Sequence, residues 1–393
     1  MKLSSLRAAL LGLCLSGFAA EALAVPAFAR RYEVSCTFCH KIFPKLNRMG
    51  ERFKERGYRL ETEDKFLGSA WIKSAPISGR LFGTRNMPEG RDASNIGYLK
   101  VLSAGNLGAR VSYWVDDAWL RNGGNTVHIN PDNAWVRWDF KPGGKLYARA
   151  GRFELDLPVT QTRMPHLLPY PIYSTNTGLE SDTIGAYQEG FEVGGEIGRT
   201  HLSASLVKGR NNRANVDLAE SSGVGNPNRF DGNLFLRASR RLATSRLGAF
   251  AYIGRNDLVA RLNASRVGVA KDNIVRLGVD GNVWISKLNL YGVAMYGRNS
   301  NSLLSLASPT GTGEALGISG GFLAADYHLK QWVAFTARVQ TRRVDLPGSK
   351  SHTLTSFLPG AQVVVWKLKF SGQTSLSNNN VSRFSVLQIE TAF

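Results

Sequence analysis

The residues with the clearest chemistry lie between Val34 and Met49, in the run VSCTFCHKIFPKLNRM. Cys36 and Cys39 are spaced C-x-x-C and His40 follows at once. Two thiols at that spacing can meet the two vinyl groups of a porphyrin, and an adjacent imidazole can reach its iron. The triplet therefore reads as the attachment site of one covalent haem c, with His40 as an axial ligand of the haem iron. A C-x-x-C redox pair would want a βαβ context and half a zinc site would want further cysteines. Neither is present, although distant histidines could complete a metal site. No catalytic residue is assigned beyond these.

The sixth ligand stays open. Met49 is nearest, but it lies on the segment that begins just after His40 and reads as core. Met164 and His166 sit in a long loop, 155–184, that could dip into an interior, while His128, His201, His328 and His352 fall in other segments and loops. Each reads more readily as a solvated or structural residue than as a ligand. Because the axial ligand sets the potential, the redox poise stays open too.

The elements around the motif have to position it. Pro44 suits a first helical turn, Phe43, Leu46, Met49 and Phe53 recur along one side, and Gly57 suits a stop, so a short helix is expected after His40. Lys45, Arg48, Arg52 and Lys54 occupy its other sides. An apolar side would pack on a porphyrin, and cations would meet its propionates. Residues 25–75 are too few to hold a core without a metal, a staple or a partner.

Ahead of that segment, Lys2 and Arg7, the apolar run Ala8–Ala20 and the sequence Ala22-Leu23-Ala24 form a signal-peptide pattern, so residues 1–24 are expected to be removed. A second candidate site is Ala27-Phe28-Ala29. The run is shorter than the roughly 20 residues a transmembrane helix needs. Cys14 would leave with it, and with Cys36 and Cys39 committed to haem no disulfide framework would remain. Net charge is +19, and removing Lys2, Arg7 and Glu21 leaves +18. An exported chain does not meet the genome, so nucleic acid is excluded as a partner. Phospholipid headgroups, haem propionates or an acidic protein fit such a balance instead.

From residue 76 to 393 the pattern is alternation. In Asn273–Ser286, Val275, Leu277, Val279, Val283 and Ile285 fall on one side while Arg276, Asp280 and Asn282 fall on the other. Asp132–Lys141 and Lys367–Ser375 behave likewise. Strands are expected near 76–87, 94–106, 108–121, 132–141, 145–154, 185–198, 200–210, 229–242, 246–257, 273–286, 288–300, 315–329, 332–345, 353–366, 367–378 and 382–393. That is about sixteen, an even number, with tight turns at Leu107, Pro142–Gly144, Arg199 and Lys287. Long loops at 155–184, 211–228, 258–272 and 301–314 each follow an odd strand. Short turns at one end and long loops at the other are the asymmetry of an outer-membrane barrel. Aromatics near strand ends (Tyr113, Trp114, Trp119, Trp135, Trp138, Trp284, Tyr291, Tyr296, Tyr327, Trp332, Trp366) fit interfacial girdles. The terminal RFSVLQIETAF ends on Phe393, as such barrels do. A mean hydropathy of -0.17 is no objection when half of each strand faces water. The expected fold is mainly β: a transmembrane antiparallel barrel of about sixteen strands whose lumen is plugged by a small helical haem segment.

The run VPAFARRYEVSCTFCHKIFPKLNRMGERFKERGYRL, joined to a barrel carrying RAGRFELDLPV and SGGFLAADYHLKQWVAFTARV, resembles the fused outer-membrane monohaem cytochrome-porins of the iron(II)-oxidase type. The specific part is one CxxCH followed by FPxLN and GY. The chain departs from the family at Met49, where an aromatic is usual. The resemblance implies thioether bonds at Cys36 and Cys39 and proximal ligation by His40. It also implies iron(II) as the extracellular electron donor, a periplasmic c-type cytochrome or other carrier as acceptor, and a place in the outer membrane of a Gram-negative bacterium. The activity implied is that of an iron(II):cytochrome oxidoreductase. The alternatives are a porin or solute channel with a structural or gating haem segment, and a conduit for another extracellular donor or acceptor. A lumen carrying +18 would repel iron(II) unless carboxylates gather at its mouth, with Glu154 and Asp156, or Glu180 and Asp182, as the candidates. Iron is therefore expected to be oxidised at the outer rim and not conducted.

Overall fold

The computed structural model describes residues 26–60, 76–88, 93–120, 132–159, 165–176, 181–208, 211–212, 232–262, 265–303, 314–345, 351–366, 368–378 and 384–392. The expected signal peptide, His128, Met164, Glu180 and Phe393 lie outside them.

Sixteen strands close into one antiparallel barrel in sequence order. They are β1 (Ile77–Pro88), β2 (Ala93–Asn106), β3 (Val111–Leu120), β4 (Asn133–Lys141), β5 (Leu146–Glu154), β6 (Tyr187–Ile197), β7 (Thr200–Val207) and β8 (Asn233–Arg241). They continue as β9 (Ser245–Leu262), β10 (Ser265–Ile285), β11 (Leu288–Leu303), β12 (Glu314–Lys330), β13 (Val333–Asp345), β14 (His352–Val365), β15 (Leu368–Ser377) and β16 (Phe384–Ala392). Closure is made by β16 on β1, from Phe384 opposite Pro88 to Ala392 opposite Arg80.

The alternation places the faces as expected. Leu277 and Val279 are exposed on the outer wall while Arg276 and Asp280 are buried inward. An apolar outer face of this kind is what a bilayer covers. Every even-numbered strand whose following turn is described in full ends in a tight connection, as at 198–199, 242–244, 286–287 and 331–332. All of these lie at one end of the barrel. One expected loop is absent: 258–272 is largely strand, because β9 and β10 stay paired through Leu258 opposite Ala270 and Val259 opposite Val269. The aromatics divide. Trp138, Tyr296, Tyr327, Trp332 and Trp366 are exposed on the outside, whereas Trp135 and Tyr291 are buried in the lumen and are not girdle residues.

Inside the barrel sit two inserts. Residues 26–60 form a plug with helices α1 (Pro26–Tyr32) and α2 (Arg48–Glu55) and a small hairpin pairing His40–Ile42 with Lys45–Leu46. The plug is bonded to the short-turn end. Ala27 N–H donates to Ser78 Oγ at 2.9 Å, Arg59 donates to Gly108 O at 3.2 Å and pairs with Asp139, and Arg137 donates to Glu55 O at 2.8 Å. Gln362 closes the other side by donating to Phe43 O. The second insert is the chain after β5, which crosses the lumen: Leu167 and Leu168 N–H each donate to Gln373 Oε1 at 2.9 Å, and Arg338 donates to Leu168 O and Pro169 O.

Candidate haem site

Cys36–Phe38 is a single 3-10 turn closed by Cys39 N–H donating to Cys36 O at 3.2 Å. Neither cysteine is in a disulfide, and both are half-buried. His40 begins the hairpin and lines the same cavity as the two cysteines. Its Nδ1 lies 3.2 Å from Pro44 O. A carbonyl can only accept, so Nδ1 carries the proton and Nε2 keeps the lone pair that a metal would take. Burial pushes the imidazole down to about 4, partly opposed by backbone bonds to Pro44 and Lys45, so the ring is neutral at ordinary pH. Burial, with Cys36 adding to it, pushes the Cys39 thiol up to about 11.

One residue holds this arrangement together, and spacing alone did not single it out. The Asn47 backbone N–H donates to Cys39 O at 2.9 Å. Its side-chain Nδ2 donates to Thr37 O at 3.2 Å and Phe38 O at 2.9 Å, while Oδ1 accepts from the N–H of Met49 and Gly50. Asn47 is thus the N-cap of α2 and the clamp of the attachment turn at once. It is the asparagine of the FPxLN run quoted above. The helix therefore starts at Arg48, later than expected, and Pro44 lies in the hairpin turn instead of a first helical turn. Gly57, at φ +67°, is the left-handed stop that was expected.

The cavity beside the motif holds about 1510 Å³ of unfilled space, some of it open to solvent. Its apolar side is an aromatic cluster: Phe28 meets Phe53 edge-on at 5.1 Å and stacks on Tyr58 at 5.2 Å, and Tyr58 in turn lies 5.2 Å from Trp114 and 6.0 Å from Trp135. Arg80, Lys100 and Arg149 line the cavity from the barrel wall, each paired with a carboxylate: Glu390, Asp116 and Asp132, and Glu192 respectively. Two thiols, a lone pair on Nε2 and aromatic faces for a macrocycle fit a covalent haem. Trp114 and Trp135 were read as girdle residues. The signal that could have placed them was parity, since Trp135 shares a face with Arg137 and Asp139.

None of the candidate sixth ligands among the described residues lines this cavity. Met49 is 40 % exposed on α2 and is not core. His166 is buried in the crossing loop, accepting from Gln373 Nε2 at 2.7 Å and lying 3.3 Å from Asp326. His201 lies 3.5 Å from Asp156, His328 lies 5.4 Å from Trp284 with the rings tilted by 33°, and His352 begins β14. Glu154 is buried and Asp156 faces His201 and Arg237, so neither stands at an open mouth. Asp182 lies in a short strand, Ser181–Thr183. Among the described residues, no group of three or more His, Cys, Asp or Glu side chains could hold a metal ion.

Charge inside the barrel is partly paired, although buried Arg338 meets the carbonyls of Leu168 and Pro169 and no carboxylate among the described residues. Buried cations meet carboxylates across the wall: Arg237 with Asp280 at 2.8 Å, Arg149 with Glu192 at 2.7 Å, Lys45 of the plug with Asp326 at 3.5 Å, and Lys369 with Glu390.

The chain has the fold of outer-membrane porins. An outer membrane channel, DcaP of Acinetobacter baumannii, is 11% identical with a TM-score of 0.55, covering 81% of this chain and 96% of its own. The outer membrane protein OmpT of Vibrio cholerae, in trimer form, is 9% identical at 0.54, covering 81% and 98%. An anion-selective porin from Comamonas acidovorans is 10% identical at 0.53, covering 81% and 98%. No family model matches the sequence, and no curated protein matches it.

Proposed function

We propose that this chain carries one haem c on Cys36, Cys39 and His40 inside an outer-membrane barrel. It takes electrons from an extracellular donor, iron(II) in the first place, and passes them to a soluble periplasmic carrier. The observation that carries this reading is that all three motif residues line one aromatic-walled cavity in a plug fixed to the short-turn end of the lumen. Short turns face the periplasm in outer-membrane barrels, so that end is the one a soluble acceptor reaches. The bound haem would supply one-electron chemistry. The chain's own residues do the remainder: Asn47 holds the turn, the Pro44 carbonyl fixes the imidazole tautomer, and the aromatic cluster excludes water. Maturation by cleavage after Ala24 suits this arrangement, because a cut after Ala29 would remove Phe28 from the cluster. Oxidised iron precipitates near neutral pH, so a cell gains by oxidising it on the outer side of a plugged barrel.

A second reading, a solute channel with a structural haem segment, is favoured by the fold shared with porins. One pair of measurements separates the two. Mixing ferric holoprotein with iron(II) in a stopped-flow instrument is expected to bring in the ferrous haem bands, and planar bilayers are expected to show little conductance. Bands that do not move at any iron(II) concentration, with open conductance, would replace the first reading by the second.

A further inference from the structure

Positive charge gathers at the short-turn mouth. Six short connections are described there, and each bears a cation within it or as the strand residue that enters it: Arg110, Lys145, Arg199, Arg241, Lys287 and Lys330. The turns themselves, 107–110, 142–145, 198–199, 242–244, 286–287 and 331–332, hold no Asp or Glu. The plug adds to this mouth. Arg48, Arg52 and Arg56 recur along one face of α2 and its end, and with turns 198–199 and 242–244 they line a groove of about 1110 Å³ of unfilled space. Arg199 and Arg241 face the same groove, against two carboxylates, Glu55 and Glu196. Those two are already committed: Glu55 to Arg241 at 3.0 Å and Arg246 at 3.2 Å, and Glu196 to Arg241. Arg48, Arg52 and Arg199 have no carboxylate partner among the described residues. On the same helix as Arg48 and Arg52, the apolar side chain of Met49 is 40 % exposed. Glu33 is the one exposed carboxylate of the described plug.

We infer that this groove and its cationic rim dock a soluble protein with an acidic face around its own redox centre. This deepens the electron-transfer reading and rests on it. Lipid headgroups would account for cations on the barrel perimeter. They do not account for Arg48 and Arg52, which stand on the plug, inside the ring of turns and next to the attachment turn. A few exposed apolar atoms ringed by one sign of charge suit a short-lived encounter, in which electrostatics sets the on-rate and a small contact allows release. The bound haem would supply a single electron to the partner's oxidised centre, with no bond or proton transferred.

The probe is horse cytochrome c with its lysines succinylated, which turns a basic redox protein acidic; native cytochrome c is the control. Binding of the ferric probe to ferric holoprotein in phosphatidylcholine nanodiscs, followed by fluorescence anisotropy, involves no electron transfer. It is expected for the succinylated form alone and to weaken about tenfold or more from low to high salt. The R48E/R52E/R199E variant is expected to abolish it with the haem spectrum unchanged, and R48Q/R52Q/R199Q to give an intermediate affinity. After dithionite reduction and removal of the excess, the electron-transfer rate is expected to follow the same order. This arm needs no iron(II), so it succeeds or fails independently of the donor assignment. Binding that ignores salt or survives charge reversal overturns the inference. So does a charge reversal that alters only the affinity for anionic lipid.

Discussion

Replacing Gly50 by alanine tests how α2 and the attachment turn are fitted together. In an ordinary helix this change stabilises by about 0.5–1 kcal/mol, because glycine loses more backbone freedom on folding. Here a Cβ would lie 2.2 Å from Cys39 O and 2.9 Å from Leu46 Cδ2. Relief requires the helix to withdraw by about 1 Å, since carbon and oxygen pack no closer than about 3.3 Å. Overpacking of this kind costs about 1–3 kcal/mol. The withdrawal also stretches the bond from Asn47 N–H to Cys39 O, worth about 0.5–1.5 kcal/mol. The net effect is a loss of about 2 kcal/mol in the plug, or about a thirtyfold rise in its opened fraction. Tryptic cleavage after Arg48 and Arg52 in the detergent-solubilised holoprotein reports that fraction when reclosing outpaces cleavage. The barrel's far-UV circular dichroism should stay as it is. A G50A protein cleaved at or below the wild-type rate would show that helix propensity governs this segment and that the contact with Cys39 is not rigid.

Asn47→Asp keeps an acceptor for the N–H groups of Met49 and Gly50 but brings a carboxylate against the carbonyls of Thr37 and Phe38; plug proteolysis is expected to rise about tenfold, and a wild-type rate would remove the clamp role. Arg338→Met takes away the bonds to Leu168 O and Pro169 O, so single-channel conductance in planar bilayers should rise, and an unchanged conductance would mean that the crossing loop does not set the narrowest point. His166 is faced by Asp326, Arg338 and Lys45, and burial lowers its pKa more than Asp326 raises it. A depressed histidine favours the neutral ring, so its stabilising contribution is complete above about pH 6.5 and is lost as pH falls below that value. Thermal midpoints should therefore drop on acidification by less in His166→Gln than in the wild type, and equal slopes would refute the assignment.

Strand alternation and turn spacing made the barrel legible because a closed wall with an apolar outside repeats one rule along the chain. The rule failed between 258 and 272, where Asp, Lys, Arg and Gly interrupt the pattern. The 21-residue strand Ser265–Ile285 is about twice the 9–11 residues that cross a bilayer, and beyond the apolar band neither face has to be apolar. The attachment motif was legible because thioether geometry demands fixed spacing. Asn47 and Gly50 were not, since a cap that also bridges a neighbouring turn depends on how two segments meet. The ion pairs of the lumen were hidden for a similar reason: Arg237 on β8 and Asp280 on β10 are 43 residues apart, and only the register of both strands on β9 puts them face to face.

The distribution of charge changes what the net charge implies. A formal excess of cations spread evenly through the lumen would hold iron(II) off, and would also be costly to bury without partners. Arg149, Arg237 and Lys369 are each matched to a carboxylate, buried Arg338 is met by the carbonyls of Leu168 and Pro169 instead, and the described short turns carry cations and no carboxylate, where water can solvate them. The two mouths are then inequivalent. On the long-loop side, the plug and the crossing loop would stand in the way of any ion, whatever the field of the wall. On the short-turn side, a field of one sign favours an acidic acceptor and disfavours a basic one. A barrel that merely conducted anions would be better served by unpaired cations inside the lumen than by guanidinium groups standing on its plug.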